Sequence, residues 1–335
     1  MRNPAPPYSQ SDLKLPGRRI LVCVDRSPSS EACVPDAVSL AKTLGSEMVI
    51  AHVLEPRHEQ GNDALGWEIS RQEARGYLAR LQKEVSEGLG RPVAIRLEQG
   101  RPAERIIALA RETASDLTVL GSRGQGSAAN LGSTVQQVLA EARSSLFIVH
   151  PSSVAPTEIL PKRILVPLDG SLRTESVLPT VARLAALPGS EVLLVHVVQE
   201  PVPTALLRAA EDMALAQELA GRLEANARKY LQLLQQQLDR EAASVRVLVV
   251  RHPNAYQCLL ELSQKEGTGL VVLSAHGSAC DSSLSFGSVT AYFLTHSPVS
   301  LLVLQDLVEE AHRNQDADAQ LAPPSPRASY TAELT

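Results

Sequence analysis

RILVCVDRS at residues 19–27 returns as RILVPLDGS at residues 163–171, an offset of 144 residues. Two further pairs keep the same order: SEMVIAHV (46–53) with SEVLLVHV (190–197), and DLTVLGSRG (116–124) with GLVVLSAHG (269–277). Three ordered matches at nearly constant spacing indicate an internal repeat. The chain is therefore predicted to contain two copies of one structural unit, an N-terminal copy at residues 18–150 and a C-terminal copy at residues 162–305.

Each copy alternates short apolar runs with helical patterns. The apolar runs are too continuous to face water on one side, which is typical of strands buried on both faces of a parallel sheet. In the N-terminal copy they are Ile20–Val24, Met48–Val53, Val93–Leu97, Leu117–Leu120 and Leu146–Val149. In the C-terminal copy they are Ile164–Leu168, Val192–Val198, Val245–Val250, Leu270–Leu273 and Val299–Leu304. The helical patterns cover residues 29–44, 68–88, 102–113 and 133–142, and an unusually long one covers about residues 204–240.

Strands joined by crossover helices pack as right-handed βαβ units. The expected fold is α/β, with two tandem doubly wound domains that each contain a five-stranded parallel sheet. In such sheets ligands bind beyond the carboxyl ends of the strands, where the winding direction reverses. We expect residues 151–161 to form a linker, and the polar segments 1–17 and 306–335 to be disordered.

The composition narrows the classes of function. Apolar residues make up 44% of the 335 residues and charged residues 21%, which is typical of a globular protein. The formal net charge of −5 argues against a nucleic-acid binder, because there is no basic surplus to neutralise phosphates. No apolar run is long enough to cross a membrane and no secretion signal is visible. The four cysteines show no CxxC pair, so we expect a cytoplasmic, reduced protein.

Small residues in the C-terminal copy suggest a phosphate cradle. Ser274 and Gly277 follow the fourth predicted strand, and Gly287 and Ser288 stand where the next helix is expected to begin. Small side chains let backbone N–H groups approach a ligand, and a helix N-terminus favours an anion. The alternative is an ordinary glycine-bearing turn with Ser288 as a helix cap. Spacing alone leaves both interpretations open.

The spacing of Ser274, Gly277, Gly287 and Ser288 resembles the ATP-binding signature of the universal stress protein family, which is Gly-x2-Gly-x9-Gly-Ser/Thr. That family also places an aspartate after its first strand, as at Asp25 and Asp169, and a His-Val pair near the end of its second, as at 52–53 and 196–197. The resemblance covers nearly all of both copies. It implies the adenine nucleotide alpha hydrolase-like fold, with ATP or another adenine nucleotide as ligand and Mg²⁺ as an accompanying ion.

The resemblance implies a role for individual residues. In the C-terminal copy, Pro167 and Asp169 would border the ribose and adenine, and the backbone of Val197 would touch the adenine. The residues implied around the ribose and phosphates are Ser274, His276, Gly277, Gly287, Ser288 and Val289. The corresponding residues of the N-terminal copy are Asp25, Val53, Gly121, Gly124, Gly132, Ser133 and Thr134.

Each copy departs from the family pattern. In the C-terminal copy the first glycine of the signature is Ser274, and the glycine that follows the third strand as Gly100 is replaced by His252. In the N-terminal copy only seven residues separate Gly124 from Gly132, in place of nine. A phosphate loop that is two residues short would not wrap a triphosphate in the usual way. The C-terminal copy is therefore the favoured nucleotide site.

The predicted function is a stress-response protein that binds an adenine nucleotide with little or no hydrolysis. The alternative is a non-nucleotide scaffold or a small-metabolite-binding regulatory protein with degenerate pockets. A true hydrolase ranks last, because no carboxylate cluster accompanies Asp25 and Asp169. The P-loop and nucleophile-elbow motifs are absent, and the GxGxxA at residues 124–129 follows the wrong strand for a dinucleotide fingerprint.

Four further features allow more than one interpretation. His52 and His196 are expected to be hydrogen-bonded histidines rather than catalytic ones. Cys280 in the phosphate loop is either a tolerated thiol or one whose oxidation weakens nucleotide binding. The long helix at about 204–240 either contacts the other copy or a partner chain, or extends into solvent. The resemblance also implies that the two copies pair through their last strands, with a homodimer as a further alternative.

Overall fold

The computed structural model describes residues 18–55, 64–122, 131–141, 144–150, 163–199, 210–239, 244–278 and 286–305. The expectations for the linker at 151–161 and for the two terminal segments concern residues outside these ranges. Both copies follow one order of elements. In the N-terminal copy these are β1 (Arg19–Val24), α1 (Pro28–Glu31), α2 (Cys33–Leu44), β2 (Glu47–Leu54), α3 (Ala64–Leu89), β3 (Ala94–Gln99), α4 (Pro102–Glu112), β4 (Leu117–Gly121), α5 (Ser133–Glu141) and β5 (Ser145–Val149).

The C-terminal copy repeats this order. Its elements are β6 (Arg163–Pro167), α6 (Leu172–Glu175), α7 (Leu178–Ala185), β7 (Glu191–Val198), α8 (Ala210–Leu238), β8 (Val245–Arg251), α9 (Ala255–Lys265), β9 (Leu270–Ser274), α10 (Ser288–His296) and β10 (Ser300–Leu304). Each predicted strand is present within one or two residues of its expected bounds. The α/β class and the repeated five-stranded parallel units are confirmed.

The prediction of one continuous helix over residues 29–44 was wrong. The structure divides it into α1 and α2, with Ala32 between them. Pro35 lies in the first turn of α2, and Pro179 holds the equivalent place in α7. A proline has no N–H to donate to the preceding turn, so the helical hydrogen bonding is interrupted there in both copies.

The described strands form a single ten-stranded sheet in the order β3-β2-β1-β4-β5-β10-β9-β6-β7-β8. Neighbouring strands run parallel within each copy, and the winding direction reverses between β1 and β4 and between β6 and β9. The two copies meet where β5 pairs antiparallel with β10, with Phe147 opposite Leu302. Because the copies run in opposite directions, their carboxyl ends lie at opposite edges of the common sheet.

Helices cover both faces of this sheet. The core on one face contains buried residues of α2 and α3 together with those of α7 and α8. The core on the other face contains residues of α4 and α5 together with those of α9 and α10. The largest buried side chains include Phe147 and Phe293, and the remainder of the core is mainly leucine, isoleucine and valine.

Polar contacts reinforce the junction between the copies. The N–H of His150 donates to Oγ of Ser300, and the N–H of Gln305 donates to Oγ of Ser145, both at 3.1 Å. On one face of the sheet, the Arg183 guanidinium donates to the carbonyl of Leu44 at 2.6 Å. That carbonyl belongs to the last turn of α2, so a cation of one copy satisfies the helix C-terminus of the other.

The turn after the first strand of each copy contains a residue with a left-handed backbone: Arg26 with φ of 69° and Gly170 with φ of 86°. We expect Gly170→Ala to lower the free energy of unfolding by about 1 kcal/mol, since a side chain disfavours this conformation. No heavy atom lies within 4 Å of the added Cβ, so the effect is conformational. Chemical denaturation measures it.

The matched control is Gly76→Ala in α3, where the added Cβ also meets nothing within 4 Å. There the backbone is helical, so alanine is expected to raise the free energy of unfolding by about 0.5–1 kcal/mol. Changes of the same sign in both variants would contradict the conformational explanation.

Candidate functional site

Several of the predicted site residues lie together at the carboxyl edge of the C-terminal copy. Oδ2 of Asp169 accepts a hydrogen bond from the N–H of Ser278 at 2.7 Å. A Cβ on Gly277 would lie 2.6 Å from the same oxygen. A Cβ on Gly287 would lie 3.5 Å from both the Gly277 nitrogen and the Cα of His276. The loop after β9, the start of α10 and the aspartate after β6 therefore meet in one place.

The Asp169 carboxylate is held by a set of hydrogen bonds. Oδ1 accepts from the N–H of Ser171 at 2.9 Å, from its hydroxyl at 2.6 Å, and from the Thr174 hydroxyl at 2.8 Å. Burial disfavours the charged form, but these donors and the Ser278 N–H outweigh it and lower the pKa of Asp169 to about 2. The group is an oriented anion at any physiological pH, able to accept hydrogen bonds but not to take up a proton.

Backbone hydrogen bonds anchor both ends of the loop between β9 and α10. The N–H of Ala275 donates to the Leu304 carbonyl at 2.7 Å, and the N–H of Gly287 donates to the Ala275 carbonyl at 2.8 Å. The Thr290 hydroxyl also donates to the Ser274 carbonyl at 2.8 Å. The two flanks of the loop are thus fixed to the sheet and to each other.

Gly287, not Ser288, is the N-cap of α10, and among the described residues no side chain forms a cap hydrogen bond with this helix. The alternative in which Ser288 is an ordinary helix cap is therefore wrong. Ser288 is instead the first helical residue. An N-terminus without a side-chain cap leaves backbone N–H groups of the first turn for water or for an anionic ligand.

Three predicted residues lie at this edge without a described contact to Asp169. Pro167 ends β6, Val197 is the second-last residue of β7, and Val289 is in the first turn of α10. Each is half-buried, so each presents part of an apolar side chain at the surface. Cys280, predicted to be within the loop, is outside the described residues, so its role stays a hypothesis.

In the N-terminal copy equivalent backbone hydrogen bonds flank the loop after β4, but the first glycine of the signature, Gly121, has a packing role. The N–H of Ser122 donates to the Val149 carbonyl at 2.8 Å, and that of Gly132 donates to the Ser122 carbonyl at 3.1 Å. A Cβ on Gly121 would lie 2.9 Å from the carbonyl oxygen of Ser29. Close packing of β4 against α1 therefore requires this glycine. The difference in loop length lies between these anchoring hydrogen bonds. Gly124 is outside the described residues, and Ser133 and Thr134 are the first two residues of α5.

The N-terminal copy has a cavity lined by charged side chains next to the turn that contains its aspartate. Oδ1 of Asp25 accepts from the N–H of Ser27 at 2.9 Å. The next residue, Arg26, pairs with Glu73 of α3 at 3.3 Å, and Arg80 pairs with Glu31 at 3.5 Å. These four side chains, with Gly76 and Tyr77, line a shallow cavity of about 430 Å³. The C-terminal copy has Gly170 in place of Arg26, so the two pockets differ in charge distribution.

The two strand-end histidines are hydrogen-bonded, as predicted. Nδ1 of His52 donates to the Val24 carbonyl, and Nδ1 of His196 donates to the Leu168 carbonyl, each at 2.8 Å. Each bond joins the end of the second strand of a copy to the end of its first. Burial lowers the pKa of His52, so its imidazole is neutral at physiological pH. Val53 follows His52 and is half-buried at the same edge.

Residues that sequence analysis missed hold the site in place. Ser171 caps α6 by accepting the N–H of Thr174, and both residues also hydrogen-bond Asp169. The spacing of Ser171 before Thr174 and Glu175 is a helix-start signal that could have located them. The Tyr230 hydroxyl donates to Glu175 at 3.0 Å and links α8 to α6. No sequence signal predicted that link.

Two further observations on the described residues concern metal sites and membrane spans. No three residues among histidine, cysteine, aspartate and glutamate gather there in an arrangement that could hold a metal ion. Within the same part of the chain, no helix combines the length and the apolar character needed to span a bilayer.

Comparison with known proteins identifies the family. The model of the universal stress protein family matches the chain twice, at residues 17–150 and 161–305. The chain belongs to the universal stress protein family. Both copies are therefore universal stress protein units, and the fold and the repeat agree with this assignment.

Individual members of the universal stress protein family are similar over one or both copies. A universal stress protein of Thermus aquaticus, encoded in the QAH/OAS sulfhydrylase 3′ region, is 31% identical over 136 residues, which is 40% of this chain and 98% of that protein. The structure of one from Archaeoglobus fulgidus is 18% identical, with a TM-score of 0.62 over 87% of this chain and 99% of that chain. A universal stress protein solved in complex with cAMP is 23% identical, with a TM-score of 0.34 over 41% and 99%.

The packing role of Gly121 can be tested by stability. Gly121→Ala is expected to lower the free energy of unfolding by about 2 kcal/mol, because the new Cβ would force the Ser29 backbone away. The control is Ser274→Ala, at the equivalent position of the C-terminal copy. Ser274 already carries a Cβ, and its buried Oγ has no hydrogen-bond partner among the described residues. A Gly121→Ala variant as stable as this control would contradict the assignment.

The charge of Asp169 predicts a pH dependence. Its folded-state pKa of about 2 lies below the usual value near ~3.9, so the charged form stabilises the fold above about pH 4. That stabilisation is lost as the pH falls from about 4 towards 2. Asp169→Asn lacks it at every pH, so the stability difference between wild type and variant should shrink across this window. Denaturation series at several pH values measure the difference, and a constant difference would refute the prediction.

Proposed function

We propose that the C-terminal copy binds ATP or a related adenine nucleotide with little or no hydrolysis, and that the protein acts in a stress response through this binding. One observation carries the proposal. Asp169, Gly277 and the start of α10 at Gly287 converge beyond the carboxyl ends of β6 and β9. The winding direction of the sheet reverses between these two strands, which is where doubly wound sheets bind ligands.

The groups present fit the parts of a nucleotide. Glycine at 277 and 287 keeps side chains out of the space beside the start of α10, so that a phosphate could approach the first-turn N–H groups of this helix. The N–H groups of Ser278 and Gly287 are already used, since they donate to Asp169 and Ala275. The uncapped N-terminus of α10 favours the same negative charge. The Asp169 carboxylate suits hydroxyl donors such as those of a ribose. The half-buried Pro167 and Val197 offer apolar surface to an adenine.

The chemistry of Asp169 favours binding over catalysis. A carboxylate with a pKa of about 2 is a poor general base, since efficient proton transfer needs a pKa near the working pH. The hydrogen bonds from Nδ1 of His52 and His196 to backbone carbonyls hold both rings against the ends of the first strands. If Mg²⁺ accompanies the nucleotide, its ligands would include phosphate oxygens as well as protein groups.

Family membership supplies a precedent. The chain belongs to a family of which one member has been solved with cAMP, so the family accommodates an adenine nucleotide. For this chain we propose the same class of ligand, bound at the C-terminal copy. We also propose that the protein is cytoplasmic.

A specific observation favours a second function for the N-terminal copy. Its cavity places the Arg26–Glu73 and Arg80–Glu31 pairs around Tyr77, so both signs of charge are present. Such a lining suits a small metabolite with both cationic and anionic groups better than a polyphosphate. Under this alternative the protein is a scaffold or a small-metabolite-binding regulatory protein.

Matched variants test the proposed nucleotide site. Gly287→Leu is expected to abolish the thermal stabilisation by ATP, because the side chain would enter the cradle beside Gly277. Gly132→Leu, at the equivalent position of the N-terminal copy, should leave it intact. Saturation at ~100 times the dissociation constant contributes roughly 2.7 kcal/mol, which calorimetry or dye-based melting detects.

Other outcomes redirect or refute the proposal. Loss of the ATP effect in Gly132→Leu alone would move the site to the N-terminal copy. No stabilisation of the wild-type chain by any adenine nucleotide would refute nucleotide binding. Mass spectrometry of ligand released from the denatured wild-type protein provides an independent readout that requires no choice of nucleotide.

A further inference from the structure

α8 is much longer than the strands it covers. Its 29 residues span about 43 Å, whereas the eight residues of β7 span about 26 Å. Its buried residues begin only at Ala220 and continue through Ala227, Leu231, Leu234 and Leu238. None of residues 213–219 is buried. Because α8 returns antiparallel to β7, this uncovered part projects beyond the carboxyl edge of the C-terminal copy.

The projecting part carries an exposed apolar ridge. We call Leu215, Leu219 and Leu223 the α8 ridge; these side chains are 67%, 56% and 47% exposed. Their spacing of four residues places them in one row along the helix. Rows of this kind on two helices interdigitate in the commonest class of helix packing, with an interaxial angle of about −50°. Three neighbouring leucines with so much exposure form a surface that favours a partner helix.

The N-terminal copy lacks this surface, although its long helix also starts well before its first buried residue. α3 begins at Ala64, and its first buried residue is Ala74. With Tyr77 aligned to Tyr230, the positions of Leu219 and Leu223 are occupied by Gly66 and Ser70. The exposed apolar residues of α3 are Leu65 and Ile69, which lie on another side of the helix. The α8 ridge is therefore particular to the C-terminal copy and is not required by the shared fold.

We propose that the α8 ridge is a homodimer interface, in which α8 of one chain crosses α8 of a second copy antiparallel at Leu219. The ridge has the symmetry that this pairing needs. A two-fold axis at Leu219 places Leu215 of one chain against Leu223 of the other, and the reverse contact follows from the same axis. The pairing does not depend on the proposed nucleotide site and stands whether or not the chain binds a nucleotide.

The charges beside the ridge agree with an antiparallel partner. Glu218 and Arg222 form an ion pair at 2.6 Å within α8, and their side chains are 59% and 75% exposed. The same two-fold axis brings Glu218 of one chain within about 3 Å, measured along the helix axis, of the level of Arg222 in the other. Glu218 and Arg222 therefore meet twice across the axis, while the two Glu218 carboxylates, also about 3 Å apart in level, meet once. A parallel pairing in register would instead bring like charges together.

A single helix crossing buries less surface than the ~1,600 Å² of a standard stable interface, so the dimer is expected to dissociate at micromolar concentrations. Sedimentation velocity of the full chain from about 1 to 100 μM should show a shift from a mass of 36.0 kDa towards twice that value. A wild-type chain that remains monomeric throughout this range would overturn the proposal.

Two variants locate the interface. Leu219→Glu is expected to raise the dimer dissociation constant by about 30-fold or more, as for a central hot-spot residue. Ile69→Glu makes the same kind of change at a residue of α3 that is 51% exposed and should leave dimerisation unchanged. Circular dichroism and thermal melting show whether each variant is folded. Unchanged dimerisation of folded Leu219→Glu would refute the interface.

A mixing experiment tests the antiparallel arrangement. Glu218→Arg gives two arginines beside the ridge, and Arg222→Glu gives two glutamates, so each variant alone should dimerise weakly. An equimolar mixture should regain the wild-type level, because every contact across the axis then joins opposite charges. The ion pair within each helix stays broken, so only pairing between chains explains the recovery. A mixture as weak as its components would overturn the antiparallel pairing.

Discussion

β5 and β10 pair antiparallel through strands whose residues are all buried, and the arrangement of the two copies follows from this contact. A copy on its own would end its sheet at one of these strands, with unpaired backbone groups next to apolar side chains on both faces. Such an edge favours pairing with another strand. Here the second copy supplies that strand, and the Ser145 and Ser300 hydroxyls accept the next N–H beyond each end of the ladder.

The shared sheet explains why the helical layers are also shared. Antiparallel pairing of the last strands places equivalent helices of the two copies on the same face, so that α2 and α7 become neighbours. Arg183 can then satisfy a carbonyl at the end of α2 in the other copy. The copies are joined both by the strand ladder and by a polar contact within one helical layer.

The strands are predictable from the sequence, whereas the site is predictable only in part, and the reasons are physical. Strands buried on both faces give continuous apolar runs, such as Leu270–Leu273, that need no tertiary information to recognise. Gly287 stood out by residue type and spacing, and Asp169 by the family resemblance. The donors from Ser171, Thr174 and Ser278 did not, because a hydroxyl or N–H in a loop is directed by the three-dimensional fold. The packing role of Gly121 likewise depends on the approach of α1, which spacing alone does not reveal.

The antiparallel junction also bears on how the two copies could diverge. The two carboxyl edges face away from each other and are separated by the length of the strands. A change in one loop therefore does not crowd the other loop. A shortened loop in one copy and a serine in place of glycine in the other are each tolerated locally. After duplication of the unit, selection could act on one pocket while the other kept its chemistry. The two copies can thus keep the same fold while the ligand specificity of one of them changes.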